Sequence, residues 1–254
     1  MSDLYDIKSK NVKNSIDYGQ KEQKNKPRGE KKSARKTGET KQKIMITALK
    51  LFAEKGYEAT SVSDIAERLD LTKSALYKHY KNKRDIFNEI ILRAEKNDFD
   101  RAAAFSMPES ELSESAESEK SYKSVEIANL IEFSKGQLDY WINDPFASDF
   151  KKILMHERFS NKNAAALFEQ YLASGPLCYV ADIFKKIGIK KPELAAFEFY
   201  APMFFAYFSD GQRCESAEEK GETKNAESAV NGLIAAHFEN QLNKLNQEKT
   251  VSRR

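Results

Sequence analysis

Cysteine is nearly missing from this chain: Cys178 and Cys214 are its only two among 254 residues. Two cysteines without paired spacing exclude a disulfide-stapled scaffold and a cysteine-based zinc site, and they read as reduced cytosolic thiols. Histidine is scarce too, and His156 and His237 stand apart from any cysteine or second histidine, so structural roles are expected and no metal. No apolar run is long enough to span a membrane, and the N-terminus has no apolar signal core. The expected location is therefore cytoplasmic, without membrane contact. Catalytic signatures are missing as well. The sequence has no nucleophile elbow, no Gly-rich phosphate loop, no HExxH and no histidine set among carboxylates at helical spacing. An enzyme is not expected, nor a cofactor.

What is present is charge, unevenly placed. The net charge of +3 divides into 19 Lys/Arg against 11 Asp/Glu over residues 1–82, and 23 against 28 over residues 83–254. A basic first third suits a polyanionic partner. With 40% apolar residues, 254 residues can bury one sizeable core and a small satellite domain.

Residues 60–87 organise the basic part. Ser61 with Asp64 three positions on is capping-box-like, and Val62, Ile65, Ala66 and Leu69 fall on one face, which predicts a short helix. Ala66 is small where a second helix would cross, and Asp70 suits a left-handed turn. Leu71 then points back to the core and Thr72 caps a second helix over Lys73–Tyr80, in which only Ala75 and Leu76 are clearly apolar. So polar a helix needs an outside partner. Thr72, Lys73, Ser74, Tyr77, Lys78 and His79 on its outer face are types that reach phosphates or base edges in a major groove. Asn82 caps a third helix, where Lys83 beside free backbone N–H groups would suit a phosphate.

Gly56, Thr60-Ser61-Val62, Asp64-Ile65-Ala66, Leu71-Thr72-Lys73-Ser74, Leu76-Tyr77, Tyr80 and Lys83 together resemble the signature of the TetR/AcrR family of one-component regulators. The resemblance covers residues 40–90. It departs from the family at Leu69-Asp70-Leu71, where Ala-Gly-Val is usual, and at Tyr80, where Phe is usual. The resemblance implies a DNA-binding set of Thr60, Ser61, Thr72, Lys73, Ser74, Ala75, Tyr77, Lys78, His79, Tyr80 and Lys83.

Around this unit, residues 1–39 are too polar to offset the entropy of ordering and are expected as a disordered basic tail. Residues 40–55 predict the first helix, stopped by Gly56, and 83–105 a longer helix beyond the motif. Residues 106–121, rich in Ser and Glu, read as a loop that ends a connecting segment over 87–121. Helical patterns return over 122–143, 146–159 and 161–187, the last disturbed near Gly175-Pro176. Residues 192–211 are apolar on nearly every side, and a helix of that kind must be covered all round. After a polar loop over 214–223, residues 225–245 predict the closing helix, and 247–254 a disordered tail.

The expected fold class is all-α: an N-terminal helix-turn-helix unit over 40–86, and a helical ligand-binding and dimerisation domain over 122–246. The resemblance implies a homodimer formed by the last two helices and an inverted-repeat double-stranded DNA operator. It further implies repression relieved when an unknown small-molecule inducer shifts the 83–105 helix. Phe133, Trp141, Phe168 and Tyr171 are candidate lining residues for a partly apolar inducer. A second reading stays open, a DNA-associated helical scaffold that binds dispersed sites and recruits a protein partner.

Overall fold

The structure is a computed structural model that describes residues 28–108, 121–209 and 222–251. Among these it is all-α, without a strand. The chain divides after Ile91 into two compact units, and the dividing point falls within one continuous helix.

The first unit holds α1 (Arg28–Lys55), α2 (Val62–Arg68), α3 (Lys73–Tyr77) and the first residues of α4 (Lys83–Ala104). Its core follows the 3.6-residue period: Ile44, Ala48, Leu51 and Phe52 of α1 pack with Ile65, Ala66, Leu76, Ile86 and Ile90, all nearly sealed from solvent. Gly56 stops α1 in the left-handed region at φ 88°, and its N–H reaches the Phe52 carbonyl at 3.0 Å. α1 starts at Arg28 rather than Thr40, which corrects the expected boundary of the tail; residues 1–27 lie outside the described residues. Lys, Arg, Glu and Ala are good helix formers, and adding turns to an existing helix avoids the cost of nucleation.

The second unit continues α4 and adds α5 (Ile127–Asn143), α6 (Pro145–Glu157), α7 (Lys162–Leu172), α8 (Ser174–Lys186), α9 (Pro192–Ser209) and α10 (Glu222–Val251). Phe150, Phe184, Phe199 and Phe238 are its largest sealed side chains. Asp144 ends α5 and caps α6, its Oδ1 accepting the Ala147 N–H at 2.9 Å, with Pro145 at the first helical position. The disturbance expected at Gly175-Pro176 is a full break at Ala173 that separates α7 from α8. α5 starts later than expected, behind the buried Tyr122 and Val125, while α10 runs through Val251, into the stretch expected as a tail. Residues 109–120 and 210–221, where two loops were expected, lie outside the described residues.

In α9 the apolar excess divides by face. Phe199, Tyr200, Met203 and Tyr207 are buried, while Leu194, Phe197 and Phe205 are exposed, Phe205 by 65%. Among the described residues no helix is long and apolar enough to cross a membrane.

Candidate nucleic-acid interface

The expected capping box is present at α2. The Ser61 Oγ accepts the Asp64 N–H at 3.2 Å, and an Asp64 carboxylate oxygen accepts the Ser61 N–H at 2.7 Å. These bonds from Ser61 hold the Asp64 carboxyl below its usual range. The helix closes in a Schellman turn, with Leu71 N–H on the Ala66 carbonyl at 2.9 Å and Asp70 N–H on the Glu67 carbonyl at 3.1 Å. Asp70 occupies the left-handed position of that turn at φ 53°. Thr72 then caps α3, its Oγ1 accepting the Ala75 N–H at 3.1 Å.

α3 is short, ending at Tyr77, and is anchored by Leu76, which is fully buried. Thr72, Lys73, Ser74, Tyr77 and Lys78 are exposed, Tyr77 by 50%, while Ala75 and His79 are half-buried. A phenol, two ammonium groups and two hydroxyls on one short exposed face are side chains suited to a phosphate backbone and base edges.

Other residues of the expected set take supporting positions. Thr60 is buried, and its hydroxyl donates toward the Gly56 carbonyl at 2.8 Å and the Leu51 carbonyl at 3.2 Å, which fixes the turn after α1. Ser61 is exposed, with its hydroxyl engaged in the cap. Tyr80 is buried; its hydroxyl donates to the Lys41 carbonyl at 3.2 Å, and burial pushes its pKa well up. Lys41 in turn covers the Tyr80 ring at 5.2 Å and pairs with Glu89 at 2.9 Å. Asn82 caps α4 as expected, its Oδ1 accepting the Asp85 N–H at 2.9 Å. Lys83 turns back to the end of α1: its Nζ donates to the Tyr57 carbonyl at 2.6 Å and lies 4.3 Å from the Tyr57 ring centroid.

The local pattern did not point to Lys41, Tyr57 or Glu89. Their partners lie 26 to 48 positions away, beyond the reach of any spacing rule.

In the second unit, the four candidate lining residues are all buried but fall into three neighbourhoods. Trp141 and Tyr171 face each other at 6.1 Å, with Phe150 and Tyr207 beside them. Phe133 meets Phe105 and Tyr179, while Phe168 meets Phe208 and the Arg158 guanidinium. Beside the Trp141 and Tyr171 neighbourhood is a polar set that periodicity did not single out: Glu95, Asp98 and Arg101 of α4 with Gln137 and Tyr140 of α5. Gln137 links it, donating from Nε2 to Asp98 at 2.9 Å and accepting from Arg101 Nε at 2.9 Å.

Comparison with known proteins concentrates on the first unit. Residues 44–90 match the family described as bacterial regulatory proteins, tetR family. The HTH-type transcriptional regulator AcrR of Shigella flexneri is 39% identical over 67 residues, which is 26% of this chain and 31% of that protein. The biofilm operon icaADBC HTH-type negative transcriptional regulator IcaR of Staphylococcus epidermidis is 41% identical over 51 residues, 20% of this chain and 28% of its own. The matched stretch thus spans less than a third of either relative. Among solved structures, a TetR-family transcriptional regulator from Mesorhizobium loti aligns over 81% of this chain and 96% of its own, with a TM-score of 0.50 and 18% identity, a likeness of fold.

Proposed function

The chain belongs to the TetR/AcrR family through its residues 44–90, and from that premise we propose that it is a homodimeric transcriptional repressor, bound to an inverted-repeat operator and released by a small-molecule inducer. The observation that carries the reading is α3: a short polar helix anchored by Leu76 that leaves Lys73, Ser74, Tyr77 and Lys78 exposed. Those side chains enter the major groove, and the caps of α2, α3 and α4 hold the helix at its angle.

A second copy supplies the second reader helix. Leu194, Phe197 and Phe205 of α9, with Leu233 of α10, form the apolar surface that it covers, as unpartnered faces of two neighbouring helices do in a four-helix interface. The two reader helices then lie about 34–36 Å apart, or a multiple of it, to meet successive major grooves. The inducer binds in the second unit and acts on α4, the helix that both units share. Differential affinity on the order of a few kcal/mol is enough to empty the operator.

Fluorescence anisotropy of the full chain against its own upstream intergenic DNA tests this reading, with Tyr77→Ala and Lys78→Ala in parallel. Binding that both variants weaken, and that falls steeply as salt rises, supports it. Weak binding that is equal on random DNA overturns it in favour of a scaffold at dispersed sites. In sedimentation, Phe205→Glu with Leu233→Glu is expected to yield monomers.

A further inference from the structure

The first part of α1 is helix without a core to explain it. Ile44, Ala48, Leu51 and Phe52 bury one face of α1, whereas residues 28–39, RGEKKSARKTGE, have Ala34 as their one aliphatic residue. α1 nevertheless starts at Arg28, roughly four turns ahead of Ile44. At 3.6 residues per turn, Arg28, Lys31, Lys32, Arg35 and Lys36 fall in a single stripe, on the side of the helix opposite Ile44, Ala48 and Phe52. Glu30 falls off the stripe and Glu39 closes it, and beyond Glu39 the exposed Lys43 and Lys50 continue the same side.

Such a stripe is unfavourable in the chain by itself. Its cations recur three and four positions apart, where like charges repel, and they crowd the end of the helix that carries the positive half of its macrodipole. A polyanion laid along the stripe turns both costs into attraction. The rest of the segment narrows the partner further. Gly29, Ser33, Ala34 and Thr37, on the remaining sides, give the segment no apolar face to insert into a lipid surface or to bury against a partner helix.

Position selects duplex DNA among polyanions. α1 passes Tyr80 at Lys41: the Tyr80 hydroxyl donates to the Lys41 carbonyl at 3.2 Å, and the Lys41 Nζ lies 5.2 Å from the Tyr80 ring centroid. Tyr80 comes just after α3, between the exposed Lys78 and Lys81. The stripe therefore begins beside the C-terminal end of α3, within the same unit. From there residues 28–39 extend roughly 18 Å along the helix axis, about half a turn of B-DNA.

We propose that the basic stripe of α1, formed by Arg28, Lys31, Lys32, Arg35 and Lys36, is a second DNA-binding surface that lies along the phosphate backbone of the duplex engaged by α3. This deepens the reading above and rests on its assignment of α3 as the reader helix. The stripe adds affinity without adding sequence preference, because phosphates carry the charge and base edges carry the sequence.

The full chain is titrated against its upstream intergenic DNA and against a random duplex of the same length, over a range of salt. One variant combines Arg28→Gln, Lys31→Gln, Lys32→Gln, Arg35→Gln and Lys36→Gln, since glutamine keeps the helix propensity. A second combines Lys32→Ser with Ser33→Lys and Lys36→Thr with Thr37→Lys, which moves two cations off the stripe at constant net charge. The glutamine variant is expected to bind both duplexes about tenfold or more weakly, with a salt slope lower by about three or more. The exchange variant is expected to lose about two from the slope, and both variants to melt with the parent, because the buried face of α1 begins at Ile44. An unchanged slope in the glutamine variant, or the parent slope in the exchange variant, overturns the inference. Tyr77→Ala separates the two readings. Equal binding of the parent to both duplexes, with the slope still lost in the glutamine variant, removes the regulator and keeps the stripe. A preference for the intergenic DNA that Tyr77→Ala abolishes, with the slope intact in the glutamine variant, keeps the regulator and removes the stripe.

Discussion

Lys83 covers Tyr57: its Nζ is 4.3 Å from the ring centroid and 2.6 Å from the carbonyl oxygen of the same residue. One side chain at the start of α4 thereby closes the turn between α1 and α2. Beneath it the rings of Phe52, Tyr57 and Phe87 pack at 5.1 to 6.3 Å from one another.

The first prediction follows from that latch. A charge-assisted bond to a carbonyl together with a half-buried cation–π contact predicts that Lys83→Ala lowers stability by about 1–2 kcal/mol in urea denaturation. Because this ammonium is committed to the protein, the salt dependence of DNA affinity should keep its slope in Lys83→Ala. In Lys78→Ala, where an exposed cation is removed from the surface proposed to face DNA, the slope should fall by about one. A reduced slope in Lys83→Ala would return this residue to the phosphate.

Asp70 predicts a gain. It holds the left-handed position of the α2–α3 turn at φ 53°, is exposed, and closes the turn through its backbone N–H. Glycine meets no steric penalty there, so Asp70→Gly should stabilise the protein by up to about 1 kcal/mol, and Asp70→Val should destabilise it by about 1–2 kcal/mol. Thermal melts of the two variants test the sign, and a loss in Asp70→Gly would mean that the carboxylate has a role the turn does not need.

Local signals carried much of this fold. The Ser61 and Asp64 spacing, the left-handed Asp70, the Thr72 cap, the Asn82 cap and the Gly56 stop each depend on neighbours within a few residues, and each is found where it was expected. The roles of Thr60, Tyr80 and Lys83 were less legible. Types that suit a phosphate also suit a buried carbonyl, and only the tertiary fold brings Leu51, Lys41 and Tyr57 to them. The same limit hid the set around Asp98. On α4 the Asp98 position looks like solvated charge until Gln137 of α5 is brought beside it. At α1 the polar composition of residues 28–39 suggested a tail, but its helix propensity extended an adjoining helix.

Gly175 predicts a loss. A Cβ built at this position would lie 2.1 Å from the Gln170 carbonyl oxygen, a backbone atom that cannot swing aside. Pro176, next in the chain, has no N–H with which to carry α7 into α8. Gly175→Ala should therefore cost about 1–3 kcal/mol by forcing the two helices apart. A circular dichroism melt reads the loss, and an unchanged midpoint would show that the break at Ala173 is compliant.

Two carboxylates predict opposite responses to pH. Asp64, held below the usual range by its bonds to Ser61, binds its proton less readily folded than unfolded. Its contribution is complete above the ordinary carboxylate range and is lost as pH falls through its lowered value. Asp98 is raised by desolvation, so the folded state binds its proton more readily. The stability it lends is present below the ordinary range and is lost as pH rises through its raised value. At neutral pH, Asp64→Asn should therefore melt below the parent and Asp98→Asn above it, and both differences should shrink in strong acid. If Asp98→Asn melts below the parent at neutral pH, the ionised carboxylate is stabilised by its surroundings, the Gln137 amide first among them.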